Sequence, residues 1–164
     1  MAVKTYDITT QRETITHLCG GNIAAAALIE GAWRAAEAWD HAHDGDPVTH
    51  KMIDDAFLWA MFQLHDNPVY VEHPELRSAL LVCIANWQAA NQMEASNDRE
   101  QQITAYILRS APYDWMVAVV FAVTGSMDAA IEAALYFRRD VGTGYETLDQ
   151  YLAEHVQAGT KAEG

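Results

Sequence analysis

Asn22-Ile23-Ala24-Ala25-Ala26-Ala27-Leu28-Ile29-Glu30-Gly31-Ala32-Trp33-Arg34-Ala35-Ala36-Glu37-Ala38-Trp39-Asp40-His41-Ala42-His43 is the stretch that decides the fold. Alanine is the strongest helix former, and Asn22 is a good N-cap before such a run. Gly45-Asp46-Pro47 stops it. The pattern predicts a helix over 22–43, placed centrally because alanine side chains let neighbouring helices approach closely.

Outward from this segment the apolar spacing stays helical. A short helix is expected over 11–18, capped by Thr9 or Thr10 and stopped by Gly20-Gly21. A third covers 49–65, where Met52, Ile53, Ala56, Phe57, Ala60, Met61 and Leu64 recur three and four apart. Leu58, Trp59 and Phe62 make its other side apolar too, so it reads as sandwiched in the core. Further helices are expected over 74–95, 99–109, 113–124, 126–139 and 145–156, punctuated by Ser96-Asn97-Asp98, Ala111-Pro112, Gly125-Ser126 and the glycines at 142 and 144. Alternation of period two is limited to stretches such as Val69-Tyr70-Val71. The expectation is an all-α fold, a helical bundle or an orthogonal helical array of about 7–8 helices, forming one domain over 1–164 with a frayed tail at about 159–164.

A chain of 164 residues, half of them hydrophobic, can bury roughly two-thirds of the surface its unfolded form exposes. Two cysteines, Cys19 and Cys83, sit in apolar stretches. They read as buried free thiols in a reducing, cytoplasmic compartment rather than as a disulfide framework. The first residues have no apolar run of signal-peptide length, and the longest apolar run, 115–123, is well short of a bilayer span.

Charge is the strongest functional signal. The formal net charge is −13, from 23 acidic and 10 basic residues. Direct nucleic-acid binding is disfavoured, because neutralising phosphates needs clustered Lys and Arg. Anionic membranes are disfavoured for the same reason. The charge is uneven: residues 30–55 carry seven acids against two bases, while the first 24 are neutral.

Several constellations carry chemistry. Glu30, Arg34, Glu37, His41 and Asp44 share one face of the long helix, with an internal Glu30–Arg34 ion pair expected. His41, His43, Asp44, Asp46 and His50 offer imidazole and carboxylate ligands near one turn. Cys19 with His17 beside Gly20-Gly21 is a candidate nucleophile. Asn86, Trp87, Gln88, Asn91 and Gln92 are candidates to line a small-molecule pocket. Arg138-Arg139 suits the C-terminal end of a helix.

His65-Asp66 closes an apolar helix, with His41 upstream and Asp114 or Asp128 downstream. In that pair and spacing the chain resembles the HD-domain metal phosphohydrolases, which are all-α. The resemblance implies a divalent metal held by His41, His65 and Asp66, activating a water for attack on a phosphoester. Asn67-Pro68 stands where the family carries a small and a basic residue.

Two functions follow as expectations. The first is a non-catalytic, acidic protein-binding module, an inhibitor or adaptor acting on a basic, nucleic-acid-binding partner, needing no cofactor. Glu30, Glu37, Asp40, Asp44, Asp54 and Asp55 would carry its partner contacts. The alternative is the metal-dependent phosphohydrolase. A homo-oligomer is compatible with either.

Overall fold

A computed structural model describes residues 8–141 and 147–153. The fold is all-α with about eight helices, and no strand occurs among the described residues. The chain runs α1 (Ile8–Leu18), α2 (Ile23–Asp44), α3 (His50–Leu58), a π-helical turn (Trp59–Gln63), α4 (Leu64–Asp66), α5 (Pro68–Glu72), α6 (Glu75–Glu94), α7 (Arg99–Leu108), α8 (Ala111–Thr124) and α9 (Met127–Leu135). A second π-helical turn (Tyr136–Val141) and a short helix α10 (148–153) follow. The expected tail at 159–164 and the outer parts of the expected last helix lie outside the described residues.

Local chemistry sets these boundaries. The Asn22 side chain accepts from the Ala25 amide, and Gly45 closes α2 in the left-handed conformation at φ 74°, its N–H donating to His41 O. Thr49, Asp98 and Ser126 cap α3, α7 and α9 in the same way as Asn22 caps α2. The alternation at Val69-Tyr70-Val71 is not a strand. Asn67 accepts from the amides of Val69 and Tyr70, and Pro68 takes the first helical position, so α5 forms there instead.

The core draws on most helices. Ile15 and Leu18 of α1 and Cys19 just after it meet Ala25, Leu28 and Ile29 of α2, with Trp115, Met116, Val119 and Val120 of α8 and Leu76 and Cys83 of α6. Trp115 donates Nε1–H to Leu76 O at 2.9 Å, a buried bond that locks α8 against α6. By length and composition, 99–124 passes as a membrane-crossing stretch. In this fold its most apolar part, α8, is the core helix just described.

α2 and α3 form an antiparallel hairpin. Gly31 faces Trp59, and Asn67 Nδ2 donates to Ala24 O at 2.9 Å, so α3 runs back along α2 toward its start. The sandwiched placement expected for the third helix is not what forms. α3 packs against α2, and none of its residues is buried; of the π-helical turn, Trp59 is. The side carrying Ile53, Phe57 and Met61 faces solvent while Trp59 of the other side meets α2, because α3 stands at the edge of the array and no further helix covers it among the described residues.

Candidate functional site: the α2–α3 hairpin

The predicted metal ligands do not converge. The bond from Asn67 to Ala24 places the end of α4, with His65 and Asp66, beside the first turn of α2. His41 lies 17 residues farther along α2 than Ala24, about 25 Å at the rise of an α-helix. Among the described residues no group of three His, Cys, Asp or Glu side chains is arranged to hold a metal ion. His65 is exposed, its ring 6.1 Å from Tyr70 in an edge contact. Asp114 is exposed and bonded to Arg138, which ties α8 to the second π turn. The HD-type arrangement therefore has no centre here, and the reason is topological: a hairpin puts the two ends of α2 at opposite ends of the α3–α4 segment.

The thiols are equally remote from catalysis. Cys19 and Cys83 are free and buried. Burial pushes both up to about 11, and for Cys83 the Asp114 carboxylate adds to the effect. His17 is exposed, whereas Cys19 is buried.

The amide-rich face of α6 builds an aromatic contact instead of a pocket. Trp87 packs on Trp39 with ring centroids 4.3 Å apart, and His43 meets Trp87 edge-on at 4.7 Å. Asn91 Nδ2 lies 3.5 Å from His43 Nδ1. Gln88 and Gln92 face solvent. The buried amide is Gln102, whose Nε2 donates to Ser96 O at 2.8 Å. The His41, His43, Asp44, Asp46 and His50 stretch is thus split, with His43 drawn onto α6.

The six carboxylates expected to meet a partner are spread over three sides of α2 and α3. Glu30 turns toward α1, where its Oε1 lies 3.5 Å from Arg12 Nε. The expected Glu30–Arg34 pair gives way to this contact between helices, which spacing within one helix does not reveal. Asp40 faces the ends of α6 and α7, among Asp44, Arg109, His41 and Glu94. Its carboxyl is pushed above its ordinary range by burial and then by the Asp44 charge, against the pull of Arg109. Asp55 is half-exposed and accepts from Lys51 Nζ at 2.6 Å. Glu37, Asp44 and Asp54 are the exposed members.

Between the helices lies a small cleft of about 250 Å³, with Arg34, Lys51, Asp55 and Gln63 at its edge around Leu58 and Trp59. It is the solvent side of the Gly31–Trp59 contact. The feature that sequence reasoning missed is beside it: large apolar side chains of α3 and the π turn stand in solvent, those of α3 within a helix turn of the exposed Asp54. Three-four spacing marks that band in the sequence, but spacing alone assigns such a band to a core.

No protein-family model matches the chain, and neither a curated protein nor a solved structure shows significant similarity to it.

Proposed function

We propose that this chain is an acidic protein-binding module that engages a partner with a basic surface, acting as an inhibitor or adaptor by covering that surface. The observation that carries the reading is the α2–α3 hairpin, on which Glu37, Asp44 and Asp54 are exposed in a segment, 30–55, with seven acids and two bases. One of those bases, Lys51, is already held by Asp55. Such a field accelerates encounter with a cationic surface and rejects anionic ones. The six-residue set of the sequence analysis narrows, in this proposal, to the three exposed members, because Glu30, Asp40 and Asp55 are engaged within the fold.

The test is affinity capture with two baits, the native chain and the Glu37→Lys/Asp44→Lys/Asp54→Lys variant, followed by identification and purification of what the native bait retains. The expected result is a basic protein whose affinity for the variant is reduced. Equal affinity for both baits contradicts the proposal.

A further inference from the structure

Ile53, Phe57 and Met61 follow one another four residues apart and are 53%, 63% and 55% exposed. Leu58 and Phe62 extend the exposed apolar surface around the helix, Leu58 as far as the edge of the cleft with α2. Apolar side chains scattered singly are ordinary on a surface, but five on one short segment, three of them in one band, are not. Their direction follows from Trp59, which faces Gly31. Phe57 is two residues away, about 200° around the helix axis, so it points away from α2. The π turn at Trp59–Gln63 contributes to the alignment. In a regular α-helix residue i+4 has drifted about 40° past residue i, and a turn widened to i→i+5 bonding reduces that drift. Met61 is thereby held more nearly in line with Phe57.

We infer that this band is a docking strip for an amphipathic helix of a basic protein, whose apolar side lies along Ile53, Phe57 and Met61 and whose Lys and Arg side chains meet Asp54 and the acidic field of the chain. The inference rests on the binding-module reading above and adds the mode of recognition. A helix fits because the strip consists of side chains four apart, a ridge about 12 Å long that seats in the groove of another helix. An extended peptide finds no strand edge to pair with among the described residues. The basic character follows from the strip's margin. Asp54 precedes Phe57 and Leu58 by three and four residues and so flanks the strip, within a chain of net charge −13. A second copy of the chain fits poorly. It would bring another −13 charge, and its Asp54 and Asp55, against the same carboxylates.

The probes are three labelled synthetic peptides: one of Leu and Lys with Leu at helical three-four spacing, one of the same composition scrambled so that no apolar face forms, and one with Glu replacing Lys. Each is titrated by fluorescence anisotropy at about 0.15 M salt into the full chain and into Phe57→Ser/Met61→Ser. That variant keeps the charge, and both positions are exposed, so circular dichroism and Tm serve as controls for the fold. The patterned Lys peptide is expected to bind the native chain and to bind the serine variant at least about 10-fold more weakly, the loss expected from two large apolar side chains. Equal binding of scrambled and patterned peptides, or no loss in the serine variant, overturns the docking strip while leaving the electrostatic reading standing. Failure of both Lys peptides to bind, or equal binding of the Glu peptide, overturns both. A native mass double 18.2 kDa that returns to 18.2 kDa in the serine variant assigns the strip to a second copy and also overturns the inference.

Discussion

Gly31 lies directly beneath the indole of Trp59. A Cβ built at Gly31 falls inside the ring's van der Waals envelope at Cδ1 and Nε1 and comes within 3.1 Å of Cγ. The α2–α3 hairpin closes on this contact because residue 31 has no side chain. Gly31→Ala would force the indole, or the whole of α3, away from α2. A loss of about 1–3 kcal/mol in unfolding free energy is expected, the usual cost of overpacking, despite the better helix propensity of alanine. Urea denaturation checks it; a variant as stable as the native chain would show that α3 is not held in this way.

Asp40 supplies a pH dependence with a definite sign. Its carboxyl is raised above the ordinary 3.8, first by burial and then by Asp44. The folded state therefore binds this proton more tightly than the unfolded state. The Asp40 contribution is unfavourable above its folded value, is relieved as pH falls through that value, and changes no further below 3.8. Asp40→Asn is expected to be more stable than the native chain at neutral pH, and the two are expected to converge as pH falls through that window. A stability difference that is constant with pH would place Asp40 in solvent.

The thiols report on the integrity of the core. With both pushed up to about 11 by burial, Cys19 and Cys83 are expected to resist an aromatic disulfide reagent at pH near 8 in the native chain and to react fully in guanidinium. Rapid labelling of either without denaturant would contradict the packing of α1 against α2 and α8, or of α6 against α8.

Many helix ends were legible in the sequence because they are local. Two were not: α1 begins at Ile8, so Thr9 and Thr10 lie inside it and do not cap it, and Ala111-Pro112 forms the first turn of α8 and does not separate two helices. Asn22, Thr49, Asp98 and Ser126 cap their helices through their own side chains, and Gly45 and Gly125 close α2 and α8 at positive φ. The helix at Pro68–Glu72 was not legible from Val69-Tyr70-Val71, since three alternating residues cannot outweigh the Asn67 cap and Pro68. The site was less legible than the fold, because its facts are tertiary. Arg12 takes Glu30 away from Arg34 only because α1 lies against α2. His41 and His65 separate only because α3 folds back along α2. The band at Ile53, Phe57 and Met61 has the spacing of a core face, and which of the two apolar sides of α3 meets α2 is decided by Gly31 beneath Trp59.

The most direct test of the central claim is the association rate between the chain and its captured partner, measured across ionic strength for the native protein and for Glu37→Lys/Asp44→Lys/Asp54→Lys. The account predicts a native rate that falls as salt rises, and a variant rate that is slower at low salt and falls less steeply with it. A variant that associates as fast as the native chain, with the same salt dependence, would contradict it.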